Sequence, residues 1–528
     1  MCLFAIFIFF LLLSNILCSD SLDMYEHTIF HKDNLLLNIL LLGLWCGIMY
    51  LMKKKKVRVP AHIQKKIWNV SFVLYGILLV LFVFHAEMAP IADQYWVQEA
   101  GRQMSCGEFT LFEKNQYMAY YPNQYGLAYL WYCIFKLTTK AQEFFYLLNV
   151  AAILAIVYVG NEIGNVMFGN DKGEKQYVYG WTFMLFFPLF EYVTFLYNIM
   201  IGMAFCMLGI LFLLKYIKRG RKFRDILLSC VFLGLSVLIK QNYIIAVVGC
   251  ILILLYDLLK QHSKKTAAFL IGIVVCVVGF SSLLNYRVEK ITNIPVSKGI
   301  PSIAWATMGI QEGFIYTGWY NGYNLNTYLA NDGDVEQTKE IATKDFKERM
   351  EYLVKNPAYT VNFFKEKLLS QWNNPTFQCI WINNLSGRTE NGIAIKETYI
   401  KPVEGILQEP GDEGMFRYMD LYQGIILLGC FLWILQSRKV IDFTQLVFAI
   451  IFVGGFLFHI IWEAKCQYGL PYFMMLFPYA VVGYKNMDQT FREGGMVKTL
   501  YGKLRGDKKP TENPKAEEED KNLETEQS

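Results

Sequence analysis

The stretch Val70-Ser71-Phe72-Val73-Leu74-Tyr75-Gly76-Ile77-Leu78-Leu79-Val80-Leu81-Phe82-Val83-Phe84-His85-Ala86-Glu87-Met88-Ala89-Pro90-Ile91-Ala92-Asp93-Gln94-Tyr95 decides the fold. From Val70 to Phe84 it carries no charge, and with the residues just before it the apolar run is long enough to cross a hydrocarbon core. Between His85 and Tyr95 the chain turns polar, as a membrane helix does where it surfaces into water. Asp93 stands at that exit, and an ionisable side chain there is a candidate for chemistry.

The same pattern recurs along the 528 residues, of which 54% are hydrophobic and 16% aromatic. About thirteen apolar runs meet the length criterion for a span. The expected fold is an all-α polytopic membrane protein with about 11 to 13 transmembrane helices and a mostly helical hydrophilic segment. The first run, residues 2–17, lacks a basic leader and a small-residue cleavage site, and is expected to stay as a helix. The net charge of +5 is small, and its basic residues cluster beside apolar runs, so they report topology rather than nucleic-acid binding. The twelve cysteines are scattered singly, mostly within apolar runs, and read as small core residues rather than metal ligands or disulfides.

Four basic clusters set the orientation: Lys53 to Lys56 with Arg58, Lys65 and Lys66; Lys215 to Arg224; Lys260, Lys264 and Lys265; Arg438 and Lys439. Placed in the cytoplasm, they put Asp93, the turn Lys240-Gln241-Asn242, the stretch 286–420 and the turn Trp462-Glu463-Ala464-Lys465-Cys466-Gln467-Tyr468 on the opposite side. Three full spans between Tyr121 and Tyr197 break the parity, so one of the runs 122–137, 142–160 or 179–196 fails to cross; Pro188 and Glu191 make the last the first suspect.

The chain then divides into residues 1–66, two additional N-terminal helices with a basic cytoplasmic loop; 67–285, a membrane module whose first external loop is 85–120; 286–420, an extracytoplasmic domain or lid; 421–485, C-terminal membrane helices; and 486–528, a charged, largely disordered cytoplasmic tail. Val335 to Trp372 reads as helix broken at Asn356-Pro357. Gly309, Gly313, Gly318 and Gly322, interleaved with Trp305, Tyr316, Trp319, Tyr320 and Tyr323, resemble a turn-rich aromatic surface of the kind that stacks on sugar rings, or an interfacial aromatic belt.

Each candidate residue has a structural reading beside the chemical one. Asp93 serves as a general base for a hydroxyl, or as a helix N-cap. Tyr121 and Asn123 orient a polar head group, or anchor the interface. Lys240, with Gln241, neutralises a phosphate leaving group, or snorkels to lipid phosphates. Glu463, Lys465 and Tyr468 bind substrate, or form an exposed structural pair. No Walker loop, dinucleotide fingerprint or metalloprotease motif stands in a credible context, and no cofactor or metal is expected.

In order and sidedness these pieces resemble the GT-C superfamily of integral membrane glycosyltransferases, in the branch of the protein O-mannosyltransferases and the aminoarabinose transferase of lipid A. The resemblance rests on Asp93, Tyr121-Pro122-Asn123, the Lys240 hairpin, the late hydrophilic segment and Glu463 to Tyr468, and covers residues 67–484 as architecture. It implies an inverting transferase on the cell membrane that takes a sugar from a polyprenyl-phosphate donor to an acceptor glycan, lipid or protein outside, for the cell envelope. It makes Asp93 the base and Lys240 and Lys465 the phosphate-side cations. Two departures matter: Asp93-Gln94 stands where many relatives have an Asp-Glu pair, and Gln467-Tyr468 where many have Arg-Tyr. The first favours a single base without metal. The competing readings are a flippase or transporter of lipid-linked saccharides, and a polysaccharide polymerase or assembly subunit. Against a transporter stand the charges gathered at helix ends and the lack of a visible internal repeat.

Overall fold

The computed structural model describes residues 1–23, 25–56, 59–86, 90–169, 174–383, 413–436 and 442–490. The cluster Arg438-Lys439, residues 384–412 of the 286–420 segment and the tail from 491 onward lie outside those residues. Within them the chain is an all-α polytopic membrane protein with one small hairpin. Eight helices are long and apolar enough to cross a membrane, among them α2 (Leu35–Lys54), α7 (Ala141–Phe168), α10 (Ile199–Lys218) and α13 (Lys264–Thr292). Shorter apolar helices add to the bundle: α1 (Cys2–Leu17), α11 (Phe223–Ile239) and the broken pair Cys466–Met474 and Phe477–Lys485.

The helices share two ends. At one, Lys218 pairs with Asp442 at 2.6 Å, Arg221 grips Asp257 through both nitrogens at 2.6 and 2.9 Å, and Lys175 meets Glu162 at 2.8 Å. Lys53 reaches Asp488 nearby. This is the basic end. At the other end α11 runs into Lys240, and α3 (Ala61–Ala86) leads to α4 (Asp93–Cys106).

The parity problem between Tyr121 and Tyr197 resolves at α6 (Tyr125–Leu137), not at 179–196. At thirteen residues α6 spans roughly 20 Å at 1.5 Å per residue, too short to cross. It packs along α4, and Trp131 stacks on Phe145 at the start of α7 at 4.4 Å. The chain therefore stays at the Asp93 end until α7, which carries it to the basic end, where Gln445 donates to the Met167 carbonyl at 3.1 Å. The suspect run does return across the bundle, but in pieces. Its helix α8 (Val178–Leu185) stops before Pro188, a five-residue helix α9 (Phe187–Glu191) follows, and the backbone ends in extended residues caught by Asn149, whose Nδ2 donates to the carbonyls of Val193 and Phe195 at 3.1 and 2.8 Å.

The hydrophilic segment begins with α14 (Ser302–Gly309) and α15 (Tyr323–Ala330). It continues through α16 (Val335–Lys355) and α17 (Pro357–Trp372), which meet at Asn356-Pro357 as the pattern predicts. It packs onto the Asp93 end.

Candidate functional site

Local sequence fixes where Asp93 points. Ala92 sits at φ +45°, and helix α4 starts immediately after it with Val97, Ala100 and Met104 turned into the core. That face holds the helix against α6; Asp93 lies on the same stripe but in the first turn, where it is exposed. The carboxylate caps no backbone N–H. Instead Tyr117 Oη donates to Oδ1 at 2.9 Å and Tyr197 Oη to Oδ2 at 3.4 Å. Burial, then Asp93 itself, pushes the Tyr117 phenol well above its usual range, so it remains a donor.

From Tyr197 a polar chain leads to the lysine turn. Gln124 Nε2 donates to Tyr197 Oη, Asn198 Nδ2 to Gln124 Oε1 at 3.2 Å, and Lys240 Nζ to Asn198 Oδ1 at 3.2 Å. Lys240 Nζ also stands 5.7 Å from the Tyr197 ring centre and 5.5 Å from that of Tyr468, a cation between two aromatic faces. Burial draws this lysine down to about 8, against the opposing pull of Asp93 and Glu463.

The third piece is the turn between the helix Val447–Ile461 and the helix starting at Cys466. Tyr468 Oη donates to Glu463 Oε2 at 3.4 Å, and Lys465 Nζ lies 2.5 Å from Glu26. Burial raises Glu463 to about 7, with Lys465 opposing and Asp93 and Glu26 adding to the rise. Burial works against the charge of Lys465 too, but Glu26, with Glu463 and Asp93, more than offsets it and holds this lysine above its usual range.

The turn is clamped by the hydrophilic segment. Lys367 is fully buried, and its Nζ donates to the carbonyls of Ile460 and Trp462 at 2.9 and 2.7 Å and to that of Gly309. A Cβ on Gly309 would lie 2.3 Å from the Ile461 carbonyl oxygen, and Gly318, at φ +74°, accepts from Ala464 N at 2.8 Å. Only glycine fits both positions. These two glycines hold the turn rather than shaping a sugar surface, and Trp319 is buried, its Nε1 donating to Ser370 at 2.9 Å. Trp305 does face the site: it stacks on Trp462 at 6.2 Å and lies 5.9 Å from Tyr121.

Of the residues singled out from sequence, Asp93, Tyr121, Lys240, Glu463, Lys465 and Tyr468 converge. The Tyr121 phenol is pushed up by burial, then by Tyr320, Asp93 and Glu463. Asn123 and Gln241 are exposed and stand outside the network. Gln124 and Lys240, the sequence neighbours of Asn123 and Gln241, carry it together with Tyr197-Asn198. Sequence reasoning also missed Tyr117 and Glu26. Tyr117 precedes the aromatic pair Tyr120-Tyr121 and offered a weak signal, whereas Glu26 lies in a hairpin within the N-terminal region, where no spacing pointed to the site.

The fold and this cluster define a polytopic membrane protein with a buried, mixed-charge site at one end of its bundle. No family model matches the sequence, and no curated protein matches it. Among solved structures the chain is similar to the archaeal oligosaccharyltransferase AglB from Archaeoglobus fulgidus, in complex with an inhibitory peptide and a dolichol-phosphate: 11% identity over 85% of this chain and 53% of that one, with a TM-score of 0.40. The present chain thus spans about half the length of that protein. A likeness of that size fixes neither family nor activity.

Proposed function

We propose that the protein is a glycosyltransferase of the GT-C type that moves a sugar from a polyprenyl-phosphate donor to an acceptor on the outer face of the membrane, for a cell-envelope glycan or glycoprotein. The observation that carries this reading is the meeting of Asp93, Lys240, Glu463, Lys465 and Tyr468, drawn from three distant parts of the chain, at the end opposite the basic clusters. A polyprenyl donor cannot leave the bilayer, so its phosphate must be met at the surface, where these helix ends lie.

In this reading each residue has a role. Asp93 accepts the proton of the acceptor hydroxyl as its oxygen attacks the anomeric carbon, and Tyr117 and Tyr197 hold the carboxylate in place. The bond from that carbon to the phosphate oxygen breaks, and the phosphate leaves with the electron pair, toward Lys240 and Lys465. In-line attack inverts the anomeric centre. Gln94 offers no second acid, and its Oε1 is already committed to Leu196 N at 3.0 Å, which supports a single-base mechanism.

Asp93→Asn tests the assignment. With a lipid-linked sugar extract as donor, transfer should fall by about a hundredfold or more, the usual contribution of a positioned base, while the variant elutes and inserts as the parent does. Full transfer by the variant removes Asp93 from the mechanism.

A further inference from the structure

The N-terminal hairpin puts an acid where the proposed site needs an anion. Strands β1 (Cys18–Leu22) and β2 (Thr28–Lys32) pair antiparallel between α1 and α2, with Leu22 opposite Thr28. Their turn is organised by Asp23: Oδ1 accepts from Tyr25 N and His27 N, both at 2.8 Å, and Oδ2 lies 2.9 Å from His27 Nδ1. Glu26 N donates to the Asp23 carbonyl at 3.0 Å, which leaves Glu26 at φ +71°. That left-handed backbone is unfavourable for a residue with a Cβ, and such strain recurs where a side chain is held for a purpose. Here it delivers the carboxylate to Lys465 Nζ at 2.5 Å, with Gln378 Nε2 donating to the same carboxylate. The Lys465 ammonium also stands 5.9 Å from the Trp381 ring centre.

The charges at this point do not suit a second anion. Asp93, Glu463 and Glu26 already face Lys240 and Lys465, so a phosphodiester added to the site would place two anions on one lysine. We propose that Glu26 occupies the anion subsite of Lys465 in the resting protein and exchanges with the donor phosphate, so that the ligand of this subsite is the phosphate of a polyprenyl-phosphate lipid. The exchange swaps one negative charge for another on the same lysine and leaves the balance of the site unchanged. The strands are packed, with Ser19 and Asp20 buried and Leu22 clustered with Trp319, so the exchange moves the Glu26 side chain and its turn rather than the hairpin. The inference rests on the transferase reading for the identity of the ligand, but not on Asp93.

The test is binding, without chemistry. The full-length protein in nanodiscs is titrated with bare polyprenyl phosphate, and with inorganic phosphate as a separate probe. Wild type should bind the lipid phosphate. Glu26→Gln should bind it about tenfold more tightly or better, since the competing carboxylate is gone. Lys465→Gln should weaken binding, and adding Glu26→Gln to Lys465→Gln should then change nothing. Glu26→Ala serves as a second variant should the glutamine disturb the turn, and should tighten binding in the same direction. If wild type binds and both Glu26 variants bind equally or more weakly, the exchange is wrong while the transferase reading stands. If neither wild type nor either Glu26 variant binds lipid phosphate, both fall. Equal tightening toward inorganic phosphate marks the subsite as reading phosphate alone, while tightening confined to the lipid marks the chain as part of recognition. Either result supports the exchange.

Discussion

The two ends of the bundle hold their charges in opposite ways. At the basic end the buried acids have close cationic partners that reach water: Arg221 meets Asp257 through two nitrogens, and Lys175 meets Glu162. At the other end Lys240 donates to a neutral amide and stands between two rings, with Asp93 and Glu463 acting on it without an ion pair among the described residues, and Glu463 is buried with a long hydrogen bond to Tyr468. Paired charges at a helix end stabilise and orient a bundle. Charges buried without full partners cost stability, and a chain that keeps them offers a place for a ligand that supplies what is missing.

The largest contrast lies between two acids. Asp93→Asn should abolish transfer without lowering the melting temperature, because the carboxylate is exposed and the amide still accepts from Tyr117. Asp257→Asn should do the reverse: it leaves Arg221 half buried without its anion, at a cost of about 1–3 kcal/mol in stability, and leaves transfer unchanged. A thermal melt and a transfer assay on both variants check the pair. Next come the lysines. Lys240→Met should weaken polyprenyl-phosphate binding about tenfold or more, roughly the loss of one charge-assisted contact, whereas Lys218→Met should leave it as it was.

A titration sharpens the same comparison. Glu463, raised by burial to about 7, gains a negative charge as pH rises through that value, and Lys240, lowered to about 8, loses its positive charge just above it. Both changes oppose an anion, so lipid-phosphate binding should be strongest below pH 7 and fall steadily to pH 9. Glu463→Gln should remove the lower limb of that fall. The variant should also be more stable than the parent above pH 7, where the buried carboxylate is ionised, and no more stable near pH 4, below its ordinary value of 4.5, where it is protonated in both states. The smallest effects belong to Asn123→Ala and Gln241→Ala, which should change binding less than about twofold, as exposed substitutions outside the network do.

Much of this architecture is legible in the sequence because hydrocarbon permits so few solutions. Runs without charge become helices, and the basic clusters sort their ends. The same clusters bring Asp93, Lys240 and Glu463 to one end before any contact is known. What the sequence hides depends on short-range geometry. A thirteen-residue apolar run at α6 looks like a span until its packing along α4 is seen, and the interrupted run around Pro188 looks defective until Asn149 is found holding its extended backbone. The site shifted by one position for the same reason. Asn123 and Gln124 differ only in which side of a tight turn they occupy, and hydropathy carries no record of that. Glu26 reaches the site from a hairpin 439 residues before Lys465, a pairing that only the folded chain makes.

On the proposed transferase reading, the charges at the Asp93 end make a glycosidic bond rather than move a lipid across the bilayer. Proteoliposomes supplied with a radiolabelled polyprenyl-phosphate sugar and a membrane acceptor extract measure both outcomes at once. A transferase yields labelled acceptor, free polyprenyl phosphate and no protein-dependent movement of donor between leaflets, with product lost in Asp93→Asn. Donor that crosses the bilayer with no glycosidic product would contradict that reading.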